Sequence, residues 1–244
     1  SGTAGKWLLD PNNVTIQAAG SDTNVTGNPS FTTTDDSAIV TTGSITAALI
    51  GTNVTITTSS SGANTQAGNI TVADQLSWTS ANSLTLTAVN SIAINASITA
   101  PNGGLNLSAA NSANSITATG AIQVKNFILQ QGQWSQIAAS LPSFQVSNDF
   151  QIQGTSTFSR FTGGNGSVGT PYVIADVFGL QGANSLSMSN NYLLGANIDA
   201  STTATWNGGA GFVPIGVYGG SNFSGVFDGG GYTVNGLTIN RSLN

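Results

Sequence analysis

The chain has 244 residues, of which 5% are charged: nine Asp, four Lys or Arg, no Glu and no His, for a net charge of −5. Ordinary soluble domains carry roughly 25% charged residues; a chain this short of Glu, Lys and Arg lacks the usual cover for helices, whereas its Ser, Thr, Asn, Gln and Gly suit strands and turns. Scattered basic residues argue against nucleic acid and anionic membrane as partners, and the absence of cysteine excludes disulfides, thiolate metal sites and a cysteine nucleophile.

No run approaches the ~18 apolar residues of a membrane span. Ser1–Lys6 lacks the apolar core of a signal peptide, so export would depend on a signal outside these residues. Along the chain, Val14–Ile16, Val54–Ile56, Ile70–Val72, Leu84–Leu86, Leu105–Leu107 and Phe150–Ile152 each set a polar residue between two apolar ones. Ser91–Ala100 alternates over its whole length, with Ile92, Ile94, Ala96, Ile98 and Ala100 on one parity. Such segments bury one face and wet the other. Turn formers at Asp10–Asn13, Pro101–Gly104 and Asp228–Gly231 separate them.

The aliphatic residues of these segments recur at about 22 residues in three rows: Ile70, Ile92, Ile116; Leu76, Ile98, Ile122; and Leu84, Leu105, Phe127. A solenoid with three strands per turn produces such rows, because each strand stacks on its counterpart one turn later. The predicted fold class is therefore all-β, a parallel β-helix with little or no α-helix; at ~4.8 Å per turn it would make roughly 11 turns and a rod about 50 Å long. An antiparallel sandwich is the rival, and it does not require three rows to advance by one period. Residues 1-162 read as regular turns. Nine of the ten Phe and all four Tyr lie at or after Phe127, and Leu194, Ile215 and Leu237 keep steps of 21 and 22. Residues 163-244 accordingly read as an aromatic- and Gly-richer continuation of the same β-helix, with a separate second domain as the alternative.

Trp7–Ile16 resembles a segment of the filamentous-haemagglutinin-like exoproteins of the bacterial two-partner secretion pathway. Trp206–Gly216, Phe223–Val234 and Asn235–Asn240 resemble the glycine-leucine-rich (GLUG-type) repeat of the same large surface proteins. The resemblance implies a right-handed parallel β-helical portion of a very long secreted or cell-surface protein, a class that includes adhesins, with an outer-membrane transporter as partner of the parent protein. The secretion domain recognised by that transporter is not visible, and no Arg-Gly-Asp triplet is present.

Without His, Cys or Glu, general bases, metal ligands and nucleophile activators reduce to Asp and Lys. No catalytic, cofactor-binding or metal residue is assigned, and no cofactor is expected. The enzyme rival is a carbohydrate-active β-helix whose cleft would be lined by Asp176, Asp199 or Asp228 together with Arg160 or Arg241. Turn and strand-end positions explain Asp199 and Asp228 equally. Asp35 and Asp36 form the only adjacent acidic pair, without the spaced series that calcium wants. Gly163–Gly169 lacks both the Asp of calcium-binding nonapeptides and the Lys-Ser/Thr of a phosphate loop.

Asn-x-Ser/Thr triplets stand at Asn13, Asn24, Asn53, Asn69, Asn95, Asn106, Asn165, Asn222 and Asn240, and routine glycosylation is not expected in a chain so rich in these residues. Trp7, Trp78, Trp134 and Trp206 are core or turn residues by default, and sugar platforms only if exposed as a pair.

The reading is a non-catalytic structural and adhesive rod at a bacterial cell surface, making repeated weak contacts with a host or environmental surface or glycan. Ice binding is a further rival, raised by the pairs Thr55/Thr57, Thr85/Thr87 and Thr117/Thr119. Their steps of 30 and 32 do not match the 22-residue beat, which predicts that they share no face. Neither end shows an obvious cap, so the expectation is a slice of a longer polypeptide or copies stacked end to end.

Overall fold

A computed structural model describes residues 11–58, 66–216 and 220–241; Lys6, Trp7 and Tyr218 lie outside them. Alternation sets the first strand, Val14–Gln17 (β1), with Val14 and Ile16 buried and Thr15 and Gln17 toward the surface. Val25–Thr26 (β2) and Ser30–Thr33 (β3) then pair antiparallel, and Ala38–Thr41 (β4) returns parallel to β1.

A helix follows at Thr42–Gly51 (α1), against the expectation of little or no α-helix. Its signals are local. The Thr41 hydroxyl accepts from Ser44 N at 3.2 Å, Asp22 Oδ1 accepts from Thr41 N at 2.7 Å, and Ile45 and Leu49, one turn apart, are both fully buried. A helix anchored by a cap and one apolar stripe needs no charged surface. Val54–Thr57 (β5) then pairs parallel with β3.

From here the chain repeats a circuit. Ile70–Val72 (β6), Leu76–Ser77 (β7) and Ser83–Ala88 (β8) make one passage; Ile92–Ile94 (β9) and the long, bent Ile98–Ala109 (β10) make the next. Ser115–Ala118 (β11) with Ile122–Gln131 (β12), and Gln133–Ile137 (β13) with Phe144–Ile152 (β14), make two more, and Thr157–Phe161 (β15) begins another. A seven-stranded sheet runs β15-β13-β11-β9-β6-β1-β4, and a second runs β14-β12-β10-β8-β5-β3-β2. A side ladder joins β7 to the first parts of β10, β12 and β14.

All pairings within the circuits are parallel, and the three expected rows are the observed registers. Ile70 faces Ile92 and Ile92 faces Ile116. Leu76 faces Ile98, which faces Ile122. Leu84 faces Leu105, which faces Phe127.

The same registers stack aromatic rings once the core widens. Phe127 lies on Phe150 (5.6 Å, 15° between planes) and Trp134 on Phe158 (5.3 Å, 11°), with Phe144 edge-on to Trp134 at 5.5 Å. Beyond β15, Tyr172–Ile174 (β16), Tyr192–Leu194 (β17) and Phe227–Asp228 (β19) form a three-stranded parallel sheet. Ile198–Asp199 (β18) pairs with Val234–Asn235 (β20). A short buried helix, Val177–Gly182 (α2), packs between β15 and β16. One core cluster extends from Val14 to Phe212.

Two expectations are corrected. The row Leu194, Ile215, Leu237 does not form: Tyr192 faces Phe227, Ile215 is in no strand and Leu237 is 40% exposed. The segment Ser201–Gly209 turns in 3-10 conformation, kinks at Asn207 and Gly208, and inserts Trp206 into the core, which lengthens the passage. Nor, among the described residues, are the β4 and β3 edges bare. β4 is the outermost strand of its sheet, and its Ile39 exchanges both backbone hydrogen bonds with Thr23, while β2 runs antiparallel along β3. Antiparallel segments thus cover both sheet edges there.

Ile94 is fully buried and pairs with Val72 and Ala118. Ile94→Asp is expected to cost about 3–5 kcal/mol, since it places an unpaired charge in that core, whereas Asn95→Asp next to it should stay within about 0.5 kcal/mol. Urea unfolding of both variants provides the check.

Candidate functional site

The side ladder ends in a groove. Strand parity turns Val124, Phe144 and Val146 inward and leaves Gln123, Gln145 and Ser147 exposed, and Gln123 stands in register with Gln145. The opposite wall begins at Asp176, the N-cap of α2, whose Oδ1 accepts from Gly179 N at 2.8 Å. That cap starts the helix where Val177 and Phe178 meet the ladder, with the Phe178 ring 4.9 Å from Phe144. Asn197, Ile198 and Asp199 of the β18 region and Thr202 close the far side. The groove encloses about 580 Å³, within the size range of small-ligand sites. Its floor is apolar and its rim is built of carboxamides, hydroxyls and carboxylates.

Electrostatically the groove is simple. Arg160 is buried behind Asp176; its Nε donates to Asp176 Oδ2 at 2.7 Å, Nη1 to Gln136 Oε1 at 2.6 Å and Nη2 to Pro142 O at 2.9 Å, with the guanidinium 5.3 Å from the Phe144 ring centre. Asp199 is fully exposed, and the backbone N–H of Ser201, then its hydroxyl, hold the carboxyl below the ordinary Asp range. Of the carboxylates flagged in the sequence, Asp176 and Asp199 line one groove with Arg160 behind it. Asp228 and Arg241 are not part of it: Asp228 Oδ1 accepts from Gly230 N in a turn, and Arg241 donates to Phe212 O and Gly211 O.

Both Asp176 oxygens are occupied, and Asp199 is shifted away from the protonated state that a general acid requires. The arrangement sets hydrogen-bonding side chains beside apolar ones.

No family model and no solved structure matches the chain. Halomucin from Haloquadratum walsbyi is 40% identical over 110 residues, covering 43% of this chain and 1% of Halomucin. The matched stretch thus spans about one per cent of the length of that curated relative.

Elsewhere the flagged residues have structural roles. Trp134 and Trp206 are fully buried; Trp78 is 5% exposed and donates to Asn82 O. They are not sugar platforms. Asp35 Oδ1 accepts from Asp36 N, and among the described residues no group of three potential metal ligands occurs. The threonine pairs correct a sequence argument: Thr55 faces Thr85 and Thr57 faces Thr87 despite the 30-residue step, because the longer passage after β5 still closes one circuit. Ser30 and Thr32 precede them, and Asn106 and Ser108 follow, on the same face; Thr117 belongs to the other sheet.

Several glycosylation triplets owe their asparagine to pairing between circuits. Asn13 Oδ1 accepts from Asn69 N at 2.8 Å, Asn69 Oδ1 from Ser91 N at 3.2 Å and Asn53 Oδ1 from Ser83 N at 2.8 Å. Each carboxamide extends a ladder one step beyond its strand.

The groove floor was not singled out in the sequence. Phe144 faces Ile122 and so continues the row Leu76, Ile98, Ile122, a signal that was available.

Arg160→Ala leaves Asp176 and Gln136 without their buried partner and is expected to destabilise the fold by about 3–5 kcal/mol, measured by chemical denaturation. A second outcome concerns pH. Burial pushes the Asp22 carboxyl up, but hydrogen bonds from the Thr41 backbone and the Ser44 and Thr41 hydroxyls outweigh it, leaving it below the reference value of 3.8. Asp199 is shifted the same way. A depressed carboxylate contributes stability above its unfolded value and loses it as pH falls through the folded value. Stability should hold steady above pH 3.8 and decline below it, with a shallower decline in Asp22→Asn.

Proposed function

We propose that this chain is a structural and adhesive segment of a large cell-surface protein, folded as a right-handed parallel β-helix that holds binding surfaces away from the cell. The observation that carries the reading is the set of in-register parallel ladders, which stack successive circuits along one direction. Stacking of this kind makes a stiff, quasi-one-dimensional scaffold. Halomucin supports the surface location at a coarse level: a related stretch sits within a very much longer chain whose name marks it as a mucin. The exoprotein resemblance points the same way, with a GLUG-type stretch near residues 206–240 and an outer-membrane transporter serving the parent protein.

No active site or cofactor is required for this role. Attachment to a surface or glycan gains from many weak contacts along one rod, and self-association is a further route to assembly. The enzyme reading has one observation in its favour, the shared groove of Asp176 and Asp199.

Negative-stain microscopy and small-angle scattering should show an elongated particle, and incubation with a polysaccharide panel should release no reducing ends or unsaturated products. A compact globule, or turnover that disappears in Asp199→Asn, overturns the proposal. Chelator should leave the thermal midpoint where it is.

A further inference from the structure

We propose that the groove between the side ladder and α2 is a binding site for a neutral oligosaccharide, which deepens the adhesive role proposed above and rests on it. Charge selects the class first. The charged residues in the lining are Asp176 and Asp199, and Asp176 is matched by Arg160, which is 4% exposed and spends its donors on Asp176, Gln136 and Pro142. Lys125, two residues beyond Gln123, is exposed but outside the lining. One ionised carboxylate, Asp199, therefore faces the groove with no cation beside it. A uronate, sulfated or sialylated chain would bring like charge into this site with nothing to pair it, a built-in selection against anionic glycans.

Hydrogen-bonding capacity comes next. Gln123 and Gln145 are exposed, and each carboxamide offers one acceptor and two N–H donors. They stand on adjacent strands, ~4.8 Å apart along the ladder, a spacing close to the length of one pyranose ring. Mixed donors and acceptors at that interval suit hydroxyls, which are themselves both. Asn197 Oδ1 is taken by the Thr233 backbone N–H and hydroxyl, which leaves its NH₂ as a donor. Thr202 stands in the same wall.

The floor completes the match. Val124, Val146, Phe144 and Phe178 lie beneath a groove whose rim is polar and, at 7% exposure or less, leave it a narrow apolar strip. A sugar ring has the same division, with C–H groups on its faces and hydroxyls around its edge. A fully apolar ligand would strand the rim amides, and an anion would meet Asp199.

Titration calorimetry of the whole chain with hexasaccharides of glucose, mannose, galactose and xylose, set against polygalacturonate, heparin and oligolysine, tests the assignment. At least one neutral hexasaccharide should bind, with little dependence on salt, and Gln123→Ala/Gln145→Ala should weaken it by about tenfold or more, equivalent to ~1.4 kcal/mol. Unchanged thermal midpoint and circular dichroism will certify the fold of that variant, and Asn95→Ala, on a different corner, should bind as the parent does. The assignment is overturned if none of the neutral sugars binds, if binding ignores the groove variant, or if the anionic chains or oligolysine bind better. Elongated particles that still adhere to surfaces when the groove is disabled would sink the groove assignment alone; a compact particle would sink the rod.

Discussion

Backbone pairing between one circuit and the next is the constraint on which everything else here depends. A parallel ladder fixes which residue lies over which, so the side chains of successive circuits are forced into columns. Inside, the columns are Ile70–Ile92–Ile116 and, where the core widens, Phe127–Phe150 and Trp134–Phe158. Outside, the same rule makes Thr55–Thr85 and Gln123–Gln145. At the strand entrances it places Asn13 and Asn69 where their carboxamides take the next circuit's N–H groups. A single geometric rule thus supplies core packing, surface texture and the walls of the groove.

Scarcity of charge follows the same logic. In a column, like charges would sit one strand spacing apart and repel, whereas Thr, Asn and Gln tolerate their own kind. Among the described residues, the ion pair Arg160–Asp176 occurs where the ladder gives way to α2 and the columns end. There a buried cation ties three separate segments together through Asp176, Gln136 and Pro142.

Column order was legible in the sequence because period-two alternation and a common beat appear together at Ile70, Leu76 and Leu84. What spacing could not disclose was the order of strands at the amino-terminal end, since the count of residues between Val14 and Ala38 does not say on which side β4 lies. α1 is not legible from charge, because Thr41, Asp22, Ile45 and Leu49 specify it by cap and stripe. Thr55 and Thr85 stand 30 residues apart in sequence and face each other in the structure, because one circuit there is longer than the 22-residue beat. At the groove, Asp176, Asp199 and Arg160 were visible as rare charged residues. Gln123, Gln145 and Thr202 were hidden among dozens of similar polar residues, and only the fold picks them out.

The position of β1 has a consequence for how the chain comes together. It lies between β4 and β6, so its neighbours arrive about 24 and 56 residues later, and loop closure of that length must precede any reward from pairing. As these residues emerge from synthesis, β1 precedes both of its partners and must wait for each of them. Once β6 has docked, each later strand of the circuits needs only the one laid down before it. Among the described strands, the pairing of β1 therefore carries the larger loop-closure cost, and the pairings beyond β6 follow the order of the sequence.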